Sequence, residues 1–167
     1  MEIREASVVH IPAIIKLAHA IWPVTYKDII SPRQLAYMLE LIYSVDSLQK
    51  QMDDGHRFFL LFDNTINSRE PVGYASFSKI EEYTSHYRLQ KLYVLSDQQG
   101  KGRGKFLLEH IIAVVKSEGG QILDLTVNRK NPAQNFYHKM GFTIAREEDK
   151  DIGDGFFMND FVMERMV

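Results

Sequence analysis

The chain has 167 residues, 45% of them hydrophobic and 25% charged, a composition that predicts one globular domain over residues 1–167. A formal net charge of −2 lacks the strongly basic balance of a general nucleic-acid binder. The absence of cysteine excludes disulfides, thiolate zinc sites and thiol nucleophiles, and it suits a cytoplasmic protein. The six histidines show no metal-ligand spacing, and no apolar run predicts a signal peptide or a membrane span. We therefore expect no metal, no membrane and no nucleic acid among its partners.

The first part of the chain predicts one strand followed by helices. Residues 3–8 are typical of a strand, and apolar residues in 10–21 recur at helical spacing until Pro23 disfavours continuation. A Ser-Pro pair at 31–32 predicts the start of a second helix, because serine caps and proline suits the first helical position. A third helical segment covers about 46–52.

The remainder predicts strands interleaved with two helices. The helix over 103–117 has the clearest periodicity, and two glycines at 119–120 end it. The other predicted elements are strands at 57–62, 71–80, 86–94, 121–127, 142–146 and 156–163, a turn over 63–68 and a short helix over 131–141. This order predicts an α/β (α+β) layer fold with a mixed sheet.

The most informative stretch is a glycine-rich turn, Gln99-Gly100-Lys101-Gly102-Arg103-Gly104, between a predicted strand and the clearest helix. Glycines leave backbone N–H groups uncovered, and a helix N-terminus adds about half a positive charge, so such a turn can hold an anion. Lys101, Arg103 and Lys105 add positive charge that we expect to be mobile. The turn predicts a pyrophosphate site, although glycines alone fit a solvated turn without a ligand equally well.

Other phosphate-binding motifs fit this turn poorly. The Walker pattern needs serine or threonine after Lys105, where Phe106 stands. The dinucleotide pattern needs a third glycine at the position of Lys105 or Leu107. Neither a nucleoside triphosphate nor a nicotinamide dinucleotide is therefore favoured.

Two motifs resemble those of the GNAT N-acetyltransferase superfamily. Gln99-x-x-Gly102-x-Gly104, after a strand ending Leu92-Tyr93-Val94, resembles the family's acetyl-CoA motif, and Asn131-Pro-Ala-Gln-Asn-Phe-Tyr-His-Lys-Met-Gly-Phe142 is similar to its second motif. The resemblance covers about residues 86–146. It implies a mixed, mostly antiparallel sheet of about seven strands flanked by helices, and acetyl-CoA as cosubstrate.

The resemblance also implies roles for individual residues. The backbone of Leu92, Tyr93 and Val94 would pair with the pantetheine arm, and the N–H of Val94 would stabilise the oxyanion. The loop from Gln99 to Lys105 would hold the pyrophosphate. Tyr137 would be the general acid, because a phenol is protonated at neutral pH, although it also suits packing beside Phe136. Asn131 would contact the cofactor, or simply cap the helix.

The general base is less clearly indicated. Many relatives place a glutamate near the position of Gln90, which cannot accept a proton as a base. Glu81 and Glu82 are the substitutes we predict, acting through water. A charged turn is the alternative interpretation of both.

The acceptor side is expected at the first helices and the C-terminal strands. Trp22 and Tyr26 offer an aromatic wall and Asp160 a carboxylate, which together suit a cationic amine, although the aromatics also suit a core. A looser resemblance to bacterial polyamine N-acetyltransferases favours spermidine or spermine. A peptide or protein N-terminus, an amino acid or an aminoglycoside remains open.

Two further classes of function compete with the enzyme. A non-catalytic acyl-CoA sensor would explain the missing base, whereas Tyr137 favours catalysis. A nucleic-acid partner would use Lys101, Arg103 and Lys105 as a basic patch, which the net charge disfavours. Relatives commonly dimerise through their C-terminal strands, so the resemblance allows a homodimer.

Overall fold

The computed structural model describes residues 1–66, 69–81 and 84–167. Asn67 and Ser68 of the predicted turn, and the candidate base Glu82, lie outside the described residues. The described elements are β1 (Glu2–Ala6), α1 (Ile11–Thr25), α2 (Pro32–Tyr43), α3 (Val45–Asp53), β2 (Arg57–Phe62), β3 (Gly73–Lys79), β4 (His86–Val94), α4 (Arg103–Ser117), β5 (Ile122–Asn128), α5 (Gln134–Lys139), β6 (Thr143–Gly153) and β7 (Phe156–Met166).

The seven strands form one sheet in the order β1-β2-β3-β4-β5-β7-β6. Only β4 and β5 run parallel among the pairings of this sheet, because α4 provides the crossover that a parallel connection needs. The predicted α/β (α+β) class, with a mostly antiparallel sheet of seven strands flanked by helices, is confirmed.

Helices cover both faces of the sheet. On one face α1, α2 and α3 pack on side chains such as Phe58, Leu60 and Tyr74. On the other face α4 and α5 pack on Phe59 and Leu89. Neighbouring residues of one strand point to opposite faces, so the nearly continuous apolar run of β2 serves both layers.

The parallel pair β4–β5 separates partway along its length. Its register runs from His86 opposite Ile122 to Leu89 opposite Leu125, and no later pair follows. β4 nevertheless continues to Val94. A β-bulge in the β3–β4 ladder falls at this point, where Ser76 pairs with Lys91 and the next residue of β3 pairs with Leu89. Bulges bend a strand, and here the bend accompanies a gap between β4 and β5.

Two predicted helix boundaries are wrong. α1 continues through Pro23 to Thr25, because a proline near the last turn removes only one hydrogen bond and Tyr26 N still donates to Trp22 O. α5 begins at Gln134, three residues after the predicted start, because Asn131 forms a separate turn.

The segment Val8–Thr25 has the length and hydropathy of a membrane span, contrary to our sequence-based expectation. A third of it is buried within the protein. These buried residues are Ile11, Ile14, Leu17, Ala18, Ile21 and Trp22, which form the core-facing side of α1. Their helical spacing is that of an amphipathic core helix, so length and composition alone are weak support for a membrane span.

Candidate active site

The free edge of β4 presents backbone groups to the gap. Leu95 N donates to Val72 O at 2.9 Å, which makes Gly73 and Val94 a pair that does not exchange hydrogen bonds. The N–H and C=O of Val94 therefore point away from β3 and toward β5, and the twofold period turns those of Leu92 the same way. Tyr93 lies between them with its backbone toward β3.

The glycine loop follows directly at the end of β4. Gln99 Nε2 donates to Val94 O at 3.0 Å and ties the loop to the strand. Gly100 and Gly102 have φ of +73° and +77°, a left-handed conformation that glycine adopts without strain. A Cβ atom at either position would meet nothing within 4 Å, so open space lies against the loop. Gly102 caps α4, leaving the first N–H groups of that helix available to an anion.

The three basic side chains of the loop differ in accessibility. The prediction that all three are mobile is wrong for Arg103, which is 7% exposed and ion-paired to the buried carboxylate of Asp63. This ion pair holds the side chain of Arg103 in place, so only the backbone of Arg103 remains available to a ligand. Lys101 is exposed and donates to Asp97 O at 3.1 Å. Lys105 is exposed, and its Nζ lies 3.7 Å from Glu109 Oε1. It also lines the large cavity that borders the loop.

Tyr137 lies on the α4–α5 side of the sheet and lines the cavity. Its ring packs edge-on against Phe136 and Phe142, with centroids 5.3 and 5.8 Å away. Phe136 in turn lies against Gly104, which places α5 beside the loop. Burial, with a smaller contribution from Tyr26, raises the pKa of Tyr137, so its hydroxyl stays protonated at neutral pH.

Asn131 lies beside these residues and has a structural role. It is buried, and its Oδ1 accepts from Ala133 N at 2.9 Å. That bond stabilises a turn ahead of α5, whose N-cap position is occupied by Ala133 without a side-chain hydrogen bond. The side chain also lines the cavity.

Aromatic rings form the wall on the α1–α3 face. The ring centroid of Trp22 lies 4.6 Å from that of Tyr26 and 5.8 Å from that of Tyr93. The hydroxyls of Tyr26 and Tyr93 are 2.9 Å apart. Burial is the main cause that raises the pKa of Tyr26 to about 12. These rings line the cavity, and their buried side belongs to the core, so the acceptor wall stays a prediction.

Asp160 provides a carboxylate on the same face. It lies opposite Asn128 at the end of the β5–β7 ladder and opposite Glu148 across β6–β7. It is 4% exposed and lines the cavity, and within the described chain its carboxylate has no hydrogen-bonded or ion-paired partner. Burial first, and then the charge of Glu148, raise its pKa to about 6.

Glu81 lies away from this region. It follows β3 in the turn that leads into the start of β4, whereas the glycine loop follows the other end of β4. It is exposed and does not line the cavity. The prediction of Glu81 as the base is not supported, because a nine-residue strand of about 3.3 Å per residue separates the two ends. Gln90 lines the cavity and donates to Ser78 Oγ at 3.0 Å.

Sequence reasoning missed Lys91 and Glu148, which both line the cavity. Lys91 lies on β4 next to Leu92, whose predicted role rests on backbone and not on side chains. The signal that could have found it is a lysine two residues before Tyr93, because the twofold period of a strand places both side chains on the same face. Glu148 became visible only through its register with Asp160.

A single cavity of about 1200 Å³ joins these parts. It borders the glycine loop and α5, passes the gap between β4 and β5, and reaches the aromatic wall and Asp160 on the opposite face. Among the described residues, no group of three or more histidine, aspartate or glutamate side chains is placed to hold a metal ion. The cavity is thus lined from both faces of the sheet, with the glycine loop on one side and a buried carboxylate on the other.

The family model described as the acetyltransferase (GNAT) family matches residues 13–142 of the chain. The chain therefore belongs to the GNAT acetyltransferase family, and acetyl-CoA is its cosubstrate. A curated relative, the 5-NmdU N-acetyltransferase of Pseudomonas phage PaMx11, is 42% identical over 55 residues. That match covers 32% of this chain and only 37% of the relative.

Solved structures show the same fold. The PaiA N-acetyltransferase of Thermoplasma acidophilum, solved in complex with coenzyme A, superposes with a TM-score of 0.79 at 24% identity and covers 100% of both chains. The ribosomal-protein-S18-alanine N-acetyltransferase of Escherichia coli superposes with a TM-score of 0.73 at 18% identity, covering 99% of this chain and 93% of the other. These identities support the architecture and leave the acceptor undetermined.

The residues around the loop fit coenzyme A. The cradle at Gly100 and Gly102 is open where side chains would otherwise project, and unpaired N–H groups of α4 face it. The free edge of β4 offers an extended amide chain the same backbone pairing that a neighbouring strand would receive.

Proposed function

We propose that this acetyltransferase transfers the acetyl group of acetyl-CoA to the primary amine of a small molecule. The observation that carries this proposal is the continuous cavity, which runs from the glycine loop through the gap between β4 and β5 to the carboxylate of Asp160. Two reactants entering from opposite faces would meet where the gap opens.

In this proposal the cosubstrate is held by backbone. N–H groups of Gly100 to Gly104 bind the pyrophosphate, and Lys105 adds charge at the helix start. Leu92 and Val94 pair with the pantetheine arm through their outward-facing backbone. When bound, acetyl-CoA supplies the acetyl group as a thioester.

Two side chains move protons. Asp160 holds the acceptor ammonium and takes a proton from it, and its pKa of about 6 makes it a stronger base than an ordinary aspartate with a pKa of 3.8. Tyr137, whose pKa burial keeps high, donates a hydrogen bond or a proton to the departing thiolate. The N–H of Val94 stabilises negative charge that develops on the acetyl oxygen.

The acceptor is proposed as an amine because an acid and aromatic rings line its side of the cavity. Trp22 and Tyr26 can pack on the carbon chain or face of a cation, and Asp160 with Glu148 supplies the counter-charge. A polyamine would carry a second ammonium into the same cavity, where Lys91 also lies. We therefore propose the broader class of small primary amines, with the polyamines as members to be tested.

Free thiol release tests this proposal directly. The purified protein is mixed with acetyl-CoA and a panel of amines, and coenzyme A is followed with a chromogenic disulfide reagent. Because the chain contains no cysteine, the protein gives no thiol background. Amine-dependent release is the expected result, and tight acetyl-CoA binding without release for any amine would favour the acyl-CoA sensor or a protein acceptor.

A further inference from the structure

Lys91 is a buried cation in the acceptor half of the cavity. It lies on β4, is 8% exposed and lines the cavity. Its ammonium lies on the α1–α3 face, 5.3 Å from the ring centroid of Phe58 and 5.8 Å from that of Tyr43. The same face carries Tyr93 two residues further along the strand. Lys91 therefore lies in the part of the cavity on the α1–α3 face, where the acceptor is proposed to bind and which we call the acceptor compartment.

The surroundings of Lys91 are fixed by hydrogen bonds. Its Nζ donates to Gln51 Oε1. Gln51 Nε2 in turn donates to Ile42 O at 2.8 Å and to Ser47 Oγ at 3.1 Å. The amide orientation of Gln51 is therefore set by α2 and α3, which holds the ammonium at the cavity wall instead of leaving it to move with a long side chain.

No carboxylate neutralises Lys91 within residues 1–66, 69–81 and 84–167. Two arginines of comparable burial are paired with carboxylates: Arg88 makes two bonds to Asp124, and Arg103 is paired with Asp63. An ammonium has three donors, and of these the Lys91 ammonium uses one on Gln51. Burying an unpaired charge is costly, so a missing anionic partner is expected to come from outside the chain.

His56, the titratable group beside Lys91, does not supply a negative charge. His56 lines the cavity beside Lys91, and its buried Nδ1 has no hydrogen-bond partner within the described structure. Burial, and then the charge of Lys91, lower the pKa of His56 to about 4, so the ring is neutral at physiological pH. Burial likewise lowers the pKa of Lys91 to about 8, which leaves most of it charged at pH 7.

The acceptor compartment therefore carries opposite charges at two places. Asp160 and Glu148 lie on β7 and β6, whereas Lys91 lies on β4 against α2 and α3. A ligand with one cationic and one anionic group would pair both. A ligand with two cationic groups could pair with Asp160 and Glu148, but it would leave the buried ammonium of Lys91 without an anion and would add positive charge to the same cavity.

We propose that Lys91, oriented by Gln51, is an anion subsite that binds the carboxylate of the acceptor, so that the acceptor is a small amino carboxylate instead of a polyamine. This inference rests on the proposed amine acetyltransfer. The amine of the acceptor is held at Asp160 while its carboxylate accepts hydrogen bonds from the free N–H groups of Lys91 Nζ.

Matched acceptor pairs that differ only in the carboxylate test the subsite. Ornithine is compared with putrescine, and lysine with cadaverine, by the thiol-release assay at pH 7. We expect kcat/KM to be at least about tenfold higher for each carboxylated member, since a charge-assisted hydrogen bond is worth about that factor. Equal or better use of putrescine and cadaverine would overturn the inference while leaving the proposed acetyltransfer intact.

Variants assign the preference to Lys91. Lys91→Met keeps an unbranched apolar stem, and we expect it to raise the KM of ornithine and abolish the tenfold preference without changing the KM of acetyl-CoA. Lys150→Met is the matched control, because Lys150 also lines the cavity but is exposed on β6. Its charge lowers the pKa of Asp160, which acts on both members of each acceptor pair, so we expect this variant to keep the preference. A preference retained in Lys91→Met would contradict the subsite.

A binding measurement decides the matter even if no acceptor turns over. Trp22 is the only tryptophan of the chain and lines the cavity, so its fluorescence reports ligand binding there. We expect N-acetylornithine to change the signal in the wild type and to bind at least about tenfold more weakly in Lys91→Met. Equal binding to both proteins would show that Lys91 is only a structural cation on its two aromatic rings.

Discussion

The hydroxyl oxygens of Tyr26 and Tyr93 lie 2.9 Å apart and join the end of α1 to the free half of β4. Tyr93 belongs to the strand whose backbone faces the gap, and Tyr26 belongs to the aromatic wall of the acceptor side. Both side chains lie on the α1–α3 face, so the hydrogen bond fixes the end of α1 against β4. It holds the acceptor wall against the strand on which the acetyl group is proposed to lie.

The Tyr26–Tyr93 bond should be measurable as a coupling free energy. Tyr26→Phe and Tyr93→Phe each remove one hydroxyl and keep the ring packing with Trp22. We expect the double-mutant cycle, from urea unfolding, to give a coupling of about 1 kcal/mol. Additive losses from the two single variants would show that the hydroxyls stabilise the fold independently.

Tyr137→Phe should reduce kcat by about 100-fold or more while leaving the KM of acetyl-CoA nearly unchanged, because only the proton donor is lost. Tyr87→Phe is the matched control, since Tyr87 is also buried but does not line the cavity. Steady-state kinetics check both variants. Full activity of Tyr137→Phe would remove this residue from the mechanism.

Gly102→Ala should weaken acetyl-CoA binding by about tenfold, because a methyl group would enter the open space against the pyrophosphate loop. It also places a non-glycine residue at φ +77°, which costs about 1–2 kcal/mol of folding free energy.

Gly119→Ala separates the two effects of Gly102→Ala. Gly119 has φ +79° and the same open surroundings, but it follows the other end of α4. We expect similar destabilisation in thermal unfolding and an unchanged KM for acetyl-CoA. Equal KM values for the two variants would contradict a pyrophosphate site at this loop.

The pH profile should report Asp160. In the proposed mechanism the ionised carboxylate is the active form, so kcat/KM is expected to fall as pH drops below about 6, by about tenfold per pH unit. Asp160→Asn should lose about 100-fold in kcat/KM and the acidic limb with it. A limb that persists unchanged in Asp160→Asn would assign it to another group.

Glu148→Gln tests whether the acidic limb of the pH profile belongs to Asp160, through the direction in which the limb shifts. Glu148 raises the pKa of Asp160, so removing its charge should move the acidic limb to lower pH. The other charges that act on Asp160 are Asp149, which also raises its pKa, and Arg129 and Lys150, which lower it. Arg129→Met should therefore move the limb in the opposite direction, to higher pH.

Local patterns predicted most of the elements. The bounds of α4 and β4 are those predicted, since strong periodicity and the glycines at both ends of α4 are signals carried by neighbouring residues. Ser31 caps α2 as expected, its hydroxyl accepting from Gln34 N at 3.1 Å. Pro23 was interpreted wrongly because a proline near the end of a helix disrupts few bonds, and packing of α1 on the sheet stabilises the turn around it.

The sequence by itself determined the family and the glycine loop, because backbone N–H groups at a strand-to-helix turn need only closely spaced glycines and a helix that follows. Tertiary structure decided which charged residues can act. Asp63 pairs with Arg103, and Asp160 lies in register with Glu148, through contacts between residues 40 and 12 positions apart in the chain. Folding buries Lys91 and Asp160 away from water, whereas Glu81 stays exposed to solvent. Solvent exposure depends on how the helices cover the sheet, so a local pattern of residues does not predict it.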